Sequence, residues 1–105
     1  MKKGIKKQIW IGRAKVRQSR GSGPLGNADG AYVNAIALSS SVTDFRTQVK
    51  KALADIDLHL ERLEDAELFT DRLSHFDVDK SLRDLAKQVF GTGELAFGTF
   101  HAFDL

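Results

Sequence analysis

The chain has 105 residues, 42% hydrophobic and 29% charged, with no cysteine and a formal charge of +2. That balance excludes a disordered chain, and the length suits one domain, 1–105, whose core needs neither metal nor disulfide. No apolar run approaches the roughly 18 residues of a spanning helix, and lysines and arginines break up any leader-like region, so no membrane or export segment is expected. The lack of cysteine removes thiol chemistry and suits a reducing cytoplasm.

The charge is unevenly spread. Eight of the sixteen basic residues fall within 1–28, where there is no acid, giving +8 there; the remainder sets eight bases against fourteen acids, or −6. Such asymmetry bears on partners more than on fold.

Residues 1–8 form a basic arm carrying Lys2, Lys3, Lys6 and Lys7. From Gln8 to Arg17 the pattern alternates: Trp10, Gly12, Ala14 and Val16 on one face, Arg13, Lys15 and Arg17 on the other. This predicts a strand. Its basic face with an aromatic nearby suits a nucleic-acid backbone, and it equally suits a solvated outer strand kept from aggregating by its charges.

Residues 19–30 are rich in glycine, hold the only proline, and predict a flexible loop. A G-x-G-x-x-G spacing runs from Gly21 to Gly26, but a dinucleotide fingerprint needs a helix next, and a strand pattern follows instead. No cofactor is expected.

Residues 31–39 predict a second strand with an apolar face at Tyr32, Ile36 and Leu38 and a small face at Val33, Ala35 and Ala37. Ser41 and Asp44 then give the spacing of a capping box for an amphipathic helix with Val42, Phe45, Val49, Ala52, Leu53 and Ile56 as its stripe. Leu60 and Leu63 would let that stripe continue, so 56–64 is read either as more helix or as a strand. Asp55 and Asp57 are poor at a helix C-terminus, which favours a loop there and a strand from about Leu58 to Glu64.

Residues 65–76 predict an irregular segment or a turn of helix. Ser74, His75 and Asp77 are neighbours in sequence, which does not make a catalytic relay. Asp77, Asp79 and Ser81 start like a calcium loop, but Leu82 and Gln88 stand where glycine and glutamate are needed. The same residues suit the start of a second helix, with Val78, Leu82, Leu85, Ala86 and Val89 as its stripe and Gly91 as its end. Residues 94–105 predict a last strand in which Gly98 permits a bulge. His59, His75 and His101 are too widely spaced for a short metal motif, and no metal site is expected.

These elements predict an α+β two-layer sandwich of about four strands with two helices on one face of the sheet. The other face would leave Tyr32, Ile36, Leu38 and the late aromatics uncovered, so a homodimer through the sheet is expected.

The stretches GAYVNAIALS, FRTQVKKAL and GELAFGTFHAF together resemble small uncharacterised bacterial α+β proteins of the mobile or integron gene-cassette kind, over most of the chain from Trp10 onward. The resemblance implies a bacterial, cytoplasmic protein and brings no activity with it.

Two functions are open. The first is a non-enzymatic binding or adaptor module, binding through Trp10, Tyr32, Phe97, Phe100 and His101, with a protein partner favoured over nucleic acid at Arg13, Lys15 and Arg17. The second is a small enzyme or ligand binder with a pocket around His101, Tyr32 and Trp10, in which His101 and Glu61 would be the catalytic candidates for acid–base chemistry.

Overall fold

A computed structural model describes residues 6–18 and 23–103. The first five residues of the basic arm, and Gly21 and Ser22 of the glycine spacing, lie outside the described residues. Five strands and three helices are described: β1 (Gln8–Gln18), β2 (Gly30–Ser39), α1 (Val42–Ala54), β3 (Leu58–Leu68), α2 (Phe69–His75), α3 (Lys80–Thr92), β4 (Ala96–Phe97) and β5 (His101–Phe103). All pairings are antiparallel. β1 is flanked by β2 and β3, and β4 and β5 both pair with β2. The α+β class stands.

The β1–β2 hairpin is the scaffold, in unbroken register from Gln8↔Ser39 to Arg17↔Gly30. Its loop closes tightly where it is described. Gly26 N–H donates to the Gly23 carbonyl, and the Gln18 amide donates to the Gly26 and Ala28 carbonyls while accepting from Leu25 N–H. No helix follows the glycines, so nothing here forms a dinucleotide cradle.

Period-two alternation sends Ala14 and Val16 to the same face as Val33, Ala35 and Ala37. Short side chains there let α1 approach closely, and it buries Phe45, Val49 and Leu53 on that face. Val42 and Ile56, expected in the stripe, are 46% and 40% exposed. Ser41 Oγ accepts the Asp44 N–H at 3.0 Å, a cap worth about 1 kcal/mol. The Asp44 carboxylate reaches back to Ser40 N–H rather than to the cap residue itself, a capping box shifted by one position. Gln48 does not face outward: its amide donates to the Leu38 carbonyl and to the buried Ser39 hydroxyl, tying α1 to β2.

The opposite face carries Ile9 and Ile11 of β1 and Ile36 and Leu38 of β2, and here α3 packs with Leu82, Leu85, Ala86 and Val89, joined by Phe69 of α2. The helices therefore do not share one face. α1 and α3 lie on opposite sides of the sheet, and a third helix, α2, adds to the second side. α3 thus covers Ile36 and Leu38 of the face through which a dimer was expected, while Tyr32 lies beyond it.

Three boundaries also differ from the sequence reading. β3 runs past Glu64 to Leu68 and α2 follows directly, so of the two readings of 65–76, an irregular segment or a turn of helix, the helix forms from Phe69. α3 continues past Gly91 to a left-handed Gly93 (φ 76°), whose N–H donates to the Val89 carbonyl, and Asp79 makes no side-chain cap bond. The last strand is split into β4 and β5. Gly98 donates its N–H to the Asn34 carbonyl at 2.8 Å and breaks the ladder between the two pieces.

Candidate functional site

α3 covers only the half of its face near the start of β1. The other half is open. Cross-strand register places Arg13 opposite Asn34 and Glu64, Lys15 opposite Tyr32 and Arg62, and Tyr32 opposite His101, with Phe103 opposite Gly30. The working groups of this surface come from four strands, so the rigid hairpin sets their spacing.

Two carboxylates are each shared by two cations. Glu64 accepts from Arg13 and from Arg62, both at 2.6 Å, and Glu61 pairs with Lys15 at 3.0 Å and with Arg17. Four cations thus meet two carboxylates, which leaves two positive charges in excess. Two of the cations also lie on aromatic faces: Arg13 is 5.0 Å from the Tyr32 ring centre and Lys15 is 5.7 Å from that of Phe103. Tyr32 and Phe103 touch each other at 5.4 Å between centres. The surface is therefore cationic and laced with shared ion pairs.

The hydrogen bond from Arg13, followed by that from Arg62, holds the Glu64 carboxyl below its ordinary 4.5. Lys15 first and then Arg17 do the same for Glu61. A carboxyl depressed by folding adds stability above its ordinary value and loses it as pH falls through the depressed one. The thermal midpoint is accordingly expected to hold steady above pH 4.5 and to decline on further acidification. In a Glu61→Gln/Glu64→Gln variant the decline should be shallower. It should not vanish, because Asp44, held down by Ser40, and Asp84, held down by Lys80, titrate in the same sense. An unchanged acid slope in the double variant would show that these ion pairs add nothing to the fold.

The expected site residues are split by the sheet. Tyr32 and His101 are on the open face, as are Arg13, Lys15 and Arg17. Trp10, Phe97 and Phe100 pack against the α1 cluster on the other side, with Trp10 stacked on Phe45 at 6.4 Å and the Phe97 and Phe100 rings tilted against each other at 5.7 Å. Trp10 Nε1 is buried with no acceptor among the described residues. A pocket joining Trp10 to Tyr32 and His101 does not form. His101 is exposed on β5 and Glu61 is on β3, so two strands lie between them and about 14 Å separates their backbones at the usual strand spacing. They are not an acid–base pair. Ser74 donates to the Thr70 carbonyl and His75 Nδ1 meets the Asp71 carbonyl, so no Ser–His–Asp relay forms either. Arg62, Glu64 and Phe103 belong to the open face and were not foreseen. The Leu63-Glu64 order hid Arg62 and Glu64, because alternation along β3 is broken.

A concave feature lies elsewhere. A cleft of about 820 Å³ opens between the end of β3 and the α2–α3 connection, with Phe76, Val78 and Leu82 as its apolar lining. Among the described residues no group of His, Asp or Glu is placed to hold a metal ion, and no helix is long and apolar enough to cross a membrane. No protein-family model, curated protein or solved structure matches the chain.

Proposed function

We propose that this chain is a small non-enzymatic binding module whose working surface is the open half of the sheet, and that its partner is an acidic segment of another protein. The shared carboxylates carry this reading. Glu61 and Glu64 are each shared by two cations, so positive charge is left over on this surface, and an incoming carboxylate neutralises it without displacing either glutamate. The aromatic faces argue against nucleic acid, since Arg13 and Lys15 already cover Tyr32 and Phe103 where bases would stack. Two copies meeting through this face would oppose like charges, so the surface suits a different partner better than a homodimer. The resemblance to bacterial gene-cassette proteins, and a cytoplasmic setting for a chain without cysteine, accord with this reading.

Fluorescence anisotropy with a labelled glutamate-rich peptide, and with a single-stranded oligonucleotide of equal charge, tests it at low and at physiological salt. The peptide should bind, and Arg13→Gln/Arg17→Gln should weaken it roughly tenfold. Glu61→Gln/Glu64→Gln should strengthen it by freeing the cations. Tighter binding of the oligonucleotide, with a steep salt dependence lost in the arginine variant, would make the surface a nucleic-acid site instead. Binding of neither probe would refute the module at this face.

A further inference from the structure

The cleft beside α2 has a composition opposite to that of the sheet surface. Its floor is apolar, and Phe76 stands 62% exposed over it, with Leu73 of α2 also exposed at 44%. A phenylalanine so exposed, beside a concave apolar lining, is the form taken by grooves that receive another side chain. Arg72 fixes one wall: its guanidinium donates to Glu67 and, at 2.8 Å, to the Asp65 carbonyl, and it lies 5.9 Å from the Phe76 ring centre. Once Glu67 is paired, Asp65, Asp77 and Asp79 leave the rim with an excess of negative charge. Asp79 stands at the start of α3 and yet makes no side-chain cap bond there, so its carboxylate is available to a partner.

We infer that this cleft docks a basic, amphipathic peptide segment of a partner protein, an apolar residue of that segment packing on Phe76, Val78 and Leu82 while its lysines or arginines meet Asp77 and Asp79. Charge complementarity selects this occupant. An acidic segment is repelled by the rim, and a purely apolar one leaves the carboxylates without counter-ions. The site lies beside the open sheet surface, on the same side of the sheet, and takes ligands of the opposite sign. The chain then joins two partners, one acidic and one basic, at neighbouring parts of that side.

The probe is a labelled peptide of alternating lysine and leucine, with its glutamate–leucine counterpart as control, titrated into the full chain. The basic peptide should bind more weakly as salt rises. Phe76→Ser, at an exposed position that leaves the core intact, should weaken it about tenfold. Asp77→Asn/Asp79→Asn should weaken it several-fold and flatten the salt dependence. Arg17→Gln, which removes a cation of the sheet surface paired with Glu61, should leave it unchanged, which separates this site from the sheet surface. Equal weakening of both peptides by Phe76→Ser, or basic-peptide binding indifferent to Phe76 and to the two aspartates, would overturn the inference. So would a rise in molar mass without peptide that Phe76→Ser abolishes, since a second copy of the chain would then be the occupant.

Discussion

Phe45→Ala is expected to cost about 3–5 kcal/mol, a large share of the roughly 5–15 kcal/mol that holds a domain of this size together. Phe45 is fully buried, and its ring sits in a socket that only a missing side chain provides. A Cβ at Gly12 would lie 3.0 Å from the ring edge and 3.1 Å from Leu63, so the glycine of β1 and the phenylalanine of α1 are sized for one another. Trp10 closes the socket by stacking on the same ring. Alanine at 45 empties a cavity walled by a sheet that cannot move inward, and the lost contacts add to the lost transfer energy. Urea unfolding should show a lower midpoint with an unchanged slope. Phe90→Ala is the control, the same deletion at a position 73% exposed, and should shift stability by no more than about 0.5 kcal/mol. Equal effects at the two positions would mean that α1 is not seated on the sheet through Phe45.

The first half of the fold was legible because its signals agree. Small residues alternate along β2, Ser41 and Asp44 mark the start of α1, and the helix stripe at Phe45, Val49 and Leu53 fits the small face. β3 was less legible for a specific reason. Its α1-facing residues are Leu58, Leu60, Leu63 and Ala66, a spacing of two, three and three. A strand should repeat every two residues, and this sequence imitates a helix because the β1–β3 register shifts twice, between Ile11 and Arg13 and between Lys15 and Val16. Asp65, at φ 53°, takes up one of the extra residues in the left-handed region, where aspartate is tolerated better than most side chains. The same two irregularities bend an 11-residue edge strand that would otherwise offer an unpaired ladder to other chains.

The second side of the sheet was not legible, because a helix stripe says that a helix packs without saying on which face. Val78, Leu82, Leu85, Ala86 and Val89 were readable as a stripe, and Ile36 and Leu38 as a face needing cover. Nothing local joins the two. The same gap scattered the site: Trp10 and Tyr32 look like equivalent surface aromatics until the register assigns them to opposite faces. Phe103 was read as one of several phenylalanines, and only its position opposite Gly30 gives it a role.

That role yields the second large effect. Gly30→Ala is expected to destabilise the chain by about 3 kcal/mol, the upper end of the usual cost of overpacking. A Cβ at Gly30 would come within 2.3 Å of the Val16 carbonyl oxygen and 2.7 Å of the Phe103 ring. The ring could turn away, but the carbonyl belongs to the backbone of β1, beside the Arg17↔Gly30 pair that closes the hairpin. Relief therefore requires the two central strands to separate at their loop end, where Gln18 N–H bonds to the Asp29 carbonyl and β5 ends its pairing. Phe103 covers the glycine from the neighbouring strand, replacing the side chain that β2 lacks there, and holds Tyr32 and Lys15 in place on the open surface. The substitution should accordingly lower the urea midpoint and weaken the acidic peptide together. Combining it with Phe103→Ala separates the two contacts. Because the backbone clash is the closer one, the double variant should recover neither stability nor binding, and recovery of stability would show that the ring, not the β1 carbonyl, sets the requirement for glycine.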